Sequence, residues 1–214
     1  MQLAQRTTVR GPTFIRLLAR LADVDASPSN EALSDRLSQW LSWTHALALS
    51  TALDGSPSEP VESPASGQLH EDECARARDA LLDAIAGVRS AADYTVLRQR
   101  YLTLQRSMQA TTGRLRGMLR DLLAEASTDM ARLADVDAVM EMALSPREQK
   151  LLASVPALLG RHFERLRDAA QAAPAETPSA WLDVFHKDMQ SVLLAELDVR
   201  FQPVEALLAA LRTR

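Results

Sequence analysis

One cysteine, Cys74, leaves no internal disulfide framework and no Cys-rich zinc site. Lysine is nearly missing. Lys150 and Lys187 are the two lysines among 24 basic residues, an arginine bias that reflects GC-rich coding as much as chemistry. Aromatics make up 4% of the chain, only seven of 214 residues are glycine, and β-branched residues are few, so sheet is disfavoured and helix favoured. No apolar run approaches the ~18–20 residues of a membrane span, and the N-terminus carries no signal-type apolar core. With 28 acidic residues against those 24 basic ones the net charge is −4, which argues against wholesale nucleic-acid binding. A Gly-rich phosphate loop, a GxSxG elbow and an SxxK motif are all absent. The expectation is therefore a soluble, cytoplasmic, non-enzymatic chain with no cofactor and no metal.

What is present is helix. The composition is 47% apolar and 24% charged, enough to bury a core and stay in solution. Gly11-Pro12-Thr13 opens a short apolar helix, Phe14 to Leu21, with Thr13 as N-cap. Residues 31–53 read as one amphipathic helix, with Leu33, Leu37, Trp40, Leu41, Thr44, Leu47 and Ala48 on one face. Trp43 lies at the margin of that arc. It either widens the core contact or stands out as an aromatic anchor for a partner. Asp54 to Gln68, DGSPSEPVESPASGQ, has nothing to bury and reads as a flexible linker. The predicted organisation is a short helical pair over 1–53, a linker over 54–68, and a long antiparallel, coiled-coil-like helical bundle over 69–214. The fold class is all-α.

Within the bundle Leu97, Tyr101, Leu104, Met108, Thr111, Leu115, Met118 and Leu122 follow a strict heptad spacing. A helix over 90–126 would be about 55 Å long and must pack on other long helices. Thr111, Thr112 and Gly113 mark its weakest point, a place for a bend. Gly113-x-x-x-Gly117 suits close helix packing or merely weakens the helix. Ser127 to Asp129 interrupts the helical pattern. Ser145-Pro146-Arg147-Glu148 is the best boundary signal, a capping box with proline at the first helical position. The helix that follows should run to about Ala172 with a kink at Pro156, and a last one from Ser179 should bend or restart at Pro203. ARLADVDA occurs twice, over 19–26 and 131–138, and a duplication is the less favoured reading.

Charge is segregated. Arg89 to Arg120 carries seven arginines and one acid, whereas Asp121 to Glu141 carries six acids and one arginine. Arg98, Arg100 and Arg114 flank the seam, which disfavours a parallel in-register homodimer and calls for an acidic neighbour. That neighbour is either the helix from Met130 to Leu144, folded back, or an acidic coiled coil of another protein. Other homo-oligomers stay open. Nucleic acid on the Arg-rich helix 89–120 is the alternative, with little aromatic interleaving to support it. His70 and Cys74 share a helical face, but a zinc site needs a third ligand that the sequence does not supply, so this is read as a solvated acidic helix start. Glu196 falls inside the apolar arc of Phe185, Met189, Val192 and Leu193. It is read as a structural carboxylate that either pairs with an arginine or reaches the rim.

Two N-terminal tracts, Gly11 to Leu21 and LSDRLSQWLSWTHALALSTAL from Leu33 to Leu53, resemble a proteobacterial family catalogued as domain of unknown function 3348. The resemblance implies a bacterial protein without assigned catalytic residues. From the genes that such proteins keep company with, it also implies a coiled-coil membrane protein as a partner for the seam. The expected function is a helical adaptor, peripheral to the inner membrane through that partner. Seam packing by Leu97, Tyr101, Leu104, Met108 and Leu115, charge selection by Arg98, Arg100 and Arg114, and a second patch at Trp40 and Trp43 would do the binding.

Overall fold

The computed structural model describes residues 13–23, 33–54, 67–88, 91–172 and 180–213, so most of the linker (55–66) lies outside the described residues. These residues form eight α-helices and no strand. They are α1 (Thr13–Ala22), α2 (Leu33–Trp40), α3 (Trp43–Asp54), α4 (Gly67–Ala86), α5 (Tyr94–Ala126), α6 (Thr128–Leu152), α7 (Val155–Ala172) and α8 (Ala180–Arg212).

Helix α5 is the axis of the molecule. Asp93 caps it through its carboxylate, which accepts the Thr95 N–H. Its buried stripe runs Leu97, Tyr101, Leu104, Met108, Thr112, Leu115, Leu119, Leu123 and Ala126. From Leu97 to Ala126 the stripe advances 29 residues in eight steps, about 3.6 residues per turn. The heptad reading therefore fails beyond Met108. Thr112, Leu119 and Leu123 take the places expected of Thr111, Met118 and Leu122, because a helix with no supercoil drifts about 20° per heptad off a strict seven-residue repeat. No break occurs at Gly113. Thr112 returns its hydroxyl to the Met108 carbonyl at 2.9 Å instead.

Side-chain pairs fix the directions. Arg116 and Arg120 meet Glu141 and Asp137, so α5 and α6 are antiparallel. Arg78 and Arg212 meet Glu205 and Glu71, which runs α4 against α8. Tyr94 meets Phe185 and Tyr101 meets Glu196, so α8 runs parallel to α5. Ser127 alone separates α5 from α6. It is extended (φ −168°, ψ 166°), and its hydroxyl accepts the Met130 N–H.

Three boundaries differ from the sequence reading. The helix expected over 31–53 breaks at Leu41–Ser42, because Ser42 and His45 cap each other: the Ser42 hydroxyl accepts the His45 N–H while His45 Nδ1 accepts the Ser42 N–H. Pro146 does not start a helix but lies inside α6. It sits on the exposed side, where water can serve the Met142 carbonyl that it leaves without a donor, and the packing of Val139, Ala143 and Leu152 carries the helix through. The true break is Ala153–Ser154, and Pro156 falls in the first turn of α7, where no N–H is required. Pro203 likewise lies within an unbroken α8.

The N-terminal helices lie on the body. Phe14 and Leu21 of α1 join the same core as α4 to α8. Arg20 pairs with Asp188 at 2.8 Å, and Arg165 donates to the Leu21 carbonyl. Helix α3 rests on α6. The two ARLADVDA copies differ over the part of the first that is described, residues 19–23. The first ends α1 at Asp23 (φ 53°), the second lies inside α6, and Leu21 is buried where Leu133 is exposed.

An aromatic cluster closes the α5–α7–α8 end. Phe185 meets Phe163 edge-on at 5.0 Å and Tyr94 at 6.2 Å, and Phe163 meets Trp181 at 5.0 Å. Gly160 admits the Tyr94 ring, since a Cβ there would lie 2.9 Å from it. The ring cannot swing away easily, because its hydroxyl donates to the Pro156 carbonyl. Gly160→Ala gains up to about 1 kcal/mol of helix propensity but overpacks at a cost of about 1–3 kcal/mol. The expected result is a lower melting temperature, where relief of an ordinary helical glycine would raise it.

Candidate functional site

The residues expected to bind a partner separate into three groups. Leu97, Tyr101, Leu104, Met108 and Leu115 are buried in this chain's own core. The seam is thus filled from within the chain, by the helices packed on α5 (α4, α6, α7 and α8), and these five residues are not an outward surface, which corrects the expectation placed on them.

The arginines follow the charge segregation. Arg116 pairs with Asp137 at 2.6 Å and Glu141 at 3.3 Å, and Arg120 pairs with the same two acids. This is the acidic segment 121–141 folded back on the basic one. Arg114 is taken by Glu73 of α4 at 2.6 Å. Arg98 is exposed and has no acidic partner among the described residues, and Arg100 is half-buried beside the groove between α4 and α5.

The tryptophans divide. Trp40 is half-buried under the Arg147 guanidinium, 5.5 Å from its ring centre. Trp43 is 83% exposed and Leu47 60%, so the core reading of Trp43 fails. No residue of α3 is buried, and between Trp43 and Asp54 the helix has no Asp, Glu, Lys or Arg.

A fourth group was only half legible. Glu196 is fully enclosed. It accepts from Tyr101 Oη at 2.5 Å, from Gln105 Nε2 at 3.1 Å, and from Arg200 Nε and a terminal guanidinium nitrogen at 3.0 and 2.9 Å. Arg200 reaches on to Glu148 at 2.9 Å, and Gln105 also donates to the Leu152 carbonyl. The carboxylate thereby ties α5, α6 and α8 in one register. Of the two outcomes open for it, the arginine pair is the one found, with Arg200 four residues on. Gln105, Tyr101 and Glu148 were missed as its companions. The signal was there in Gln105, Gln109, Thr112 and Arg116 on α5 and Glu141, Ser145 and Glu148 on α6, polar residues at helical spacing on inward faces.

Burial, then the neighbouring Glu196 charge, hold the Tyr101 phenol well above its ordinary value of 10.0. The unfolded chain ionises this phenol near pH 10 while the fold retains the proton. Stability is therefore complete below about pH 10 and falls as pH rises above it, by about 1.4 kcal/mol per unit. Tyr101→Phe should remove that part of the alkaline slope in urea unfolding, leaving a smaller slope from Tyr94, which burial also raises. Burial pushes the Cys74 thiol up as well, which makes it a poor nucleophile. Among the described residues no three His, Cys, Asp or Glu side chains converge as metal ligands, and no helix is long and apolar enough to cross a membrane.

No curated protein and no solved structure matches the chain. A family model described as a protein of unknown function (DUF3348) matches residues 1–213, so every helix described above falls within it. The chain belongs to the DUF3348 family.

Proposed function

We propose that the protein is a non-enzymatic helical adaptor that receives a helical or coiled-coil segment of another protein on the α3 face around Trp43 and Leu47. The observation that carries this reading is a helix with no Asp, Glu, Lys or Arg from Trp43 to Leu53 and an 83% exposed tryptophan, resting on α6 and leaving none of its own residues buried. Large apolar side chains left open to solvent together mark an interaction surface, and tryptophans are among the commonest energetic centres of protein interfaces. Arg98, exposed on α5, supplies charge selection for an acidic partner, while Arg114 is committed to Glu73. Salt should weaken such an apolar contact little, whereas nucleic acid on the basic stretch would be lost steeply. That alternative is weakened because Arg114, Arg116 and Arg120 are already neutralised within the chain. The adaptor would work in the cytoplasm, at the inner membrane where its partner is anchored there.

A photoreactive phenylalanine analogue at Trp43, compared with one at exposed Arg167, tests it in the native organism. A helical protein crosslinked at position 43 and not at 167, and lost on Leu47→Glu, is the expected result. Equal labelling from both positions, or none from 43, sinks the reading.

A further inference from the structure

The chain has three tryptophans, two tyrosines and four phenylalanines, and one of each meets at a single half-open cavity of about 310 Å³. Tyr94 comes from the start of α5, Phe163 from α7 and Trp181 from the start of α8, and Ala92, Asp93, Glu164 and Arg167 complete the wall. The volume lies in the range of small-ligand sites, about 300–1,000 Å³. The rings stand at angles to one another, Phe163 at 39° to Tyr94 and at 74° to Trp181, so they form a corner and not a flat stack. Their placement does not depend on an occupant. Gly160 and the Pro156 carbonyl hold Tyr94, and Phe163 packs in T-shaped contacts on both Trp181 and Phe185.

Three features of this corner favour an organic cation. The first is the ring faces, which attract positive charge and carry none of the chain's own. Among the described residues the guanidiniums that cover rings are Arg78 on Phe201 and Arg147 on Trp40. The second is charge, counted on the wall itself, which carries two carboxylates against one guanidinium. Neither Asp93 nor Glu164 has an ion-pair partner among the described residues, whereas Arg167 is paired with Asp168 at 3.2 Å. Arg98, one turn on from Tyr94, does not line the cavity. The two helix N-termini beside it, which would oppose a cation, have acids of their own: Asp93 caps α5 and Asp183 lies in the first turn of α8. The third is the order of the wall. Phe163 is buried while both carboxylates are exposed, so rings lie at depth and negative charge at the mouth. Rings at depth suit methyl groups, and a quaternary ammonium has no N–H to satisfy there. We propose that this cavity binds a quaternary ammonium group, its methyls against Tyr94, Phe163 and Trp181 and its charge facing Asp93 and Glu164.

The test is titration of the isotope-labelled protein with choline chloride, against sodium chloride at equal ionic strength, followed by amide and indole N–H chemical shifts. The control ligand is the neutral alcohol in which carbon replaces the choline nitrogen, of the same shape without the charge. The proposal expects saturable shifts confined to residues 92–95, 160–167 and the Trp181 indole, with the neutral alcohol binding about tenfold more weakly. Trp181→Leu keeps apolar volume but removes a ring face, and should weaken choline about tenfold. Glu164→Lys, at an exposed position, sets a fixed cation at the mouth and should abolish the response. Flotation with phosphatidylcholine vesicles assigns the source: flotation that free choline competes points to a lipid headgroup, and its absence to a free solute. The proposal is overturned by shifts that never saturate, by an equal response to the neutral alcohol, or by binding that survives Glu164→Lys. Should Trp181→Leu not fold, Glu164→Lys and the neutral alcohol decide.

Discussion

Replacing Glu196 with alanine should destabilise the fold by about 3–5 kcal/mol, a large fraction of what a single domain possesses. The carboxylate accepts from three side chains, and every one of them is buried. Without it the Arg200 guanidinium keeps only Glu148, and the Tyr101 hydroxyl and Gln105 amide lose a partner where water cannot replace it. Glu196→Gln should cost less, since the amide oxygen still accepts. The informative variant is Glu196→Leu with Arg200→Met. Removing the pair together deletes both desolvated charges, so the double variant should recover much of what the single one loses. Urea midpoints with unchanged slope measure it. If Glu196→Ala shifts the midpoint by no more than a surface substitution does, the network is not holding α5, α6 and α8 together.

Phe185→Ala is expected to cost about 3–5 kcal/mol by a different mechanism. The ring is fully enclosed, with Phe163 edge-on at 5.0 Å, Tyr94 at 6.2 Å and His162 at 6.1 Å. These neighbours are pinned: Tyr94 by the Pro156 carbonyl, His162 by Asp188 at 2.8 Å. Because the walls cannot collapse inward, the vacated volume stays open and the penalty lies at the upper end of the cavity range. Phe185→Leu should cost roughly half as much, and calorimetric melting distinguishes the two. Equal losses for both would mean that the site relaxes freely.

The helices and their partners were legible where a single physical signal decided them. Apolar spacing placed α5, and charge segregation offered the acidic segment as one of two neighbours, the one that Arg116 and Arg120 meet through Asp137 and Glu141. The seam's register was not legible past Met108, because periods of 3.5 and 3.6 differ by less than one residue over the first two heptads. Pro146 misled for a related reason: a proline one residue after a serine looks the same at a boundary as on the wet side of a continuing helix. What decides between them is which face α5 covers, and no local pattern contains that. The Ser42–His45 cap was readable in principle, had histidine been allowed the role of the capping-box glutamate. Trp43 was undecidable from sequence, since an arc of apolar residues does not say how much of it a neighbour will cover.

The placement of α1 has a consequence for synthesis. It leaves the ribosome well ahead of its partners: the carbonyl of Leu21 waits for Arg165 and the guanidinium of Arg20 for Asp188, 144 and 168 residues later. At about 5–20 residues per second this leaves Phe14 and Leu21 uncovered for roughly ten seconds or more. Throughout that interval the nascent chain displays an amphipathic helix with no surface of its own to sit on, the kind of segment that holding chaperones recognise. Docking of α1 would then be among the last steps of folding, and a chain stalled before α8 would keep that helix exposed.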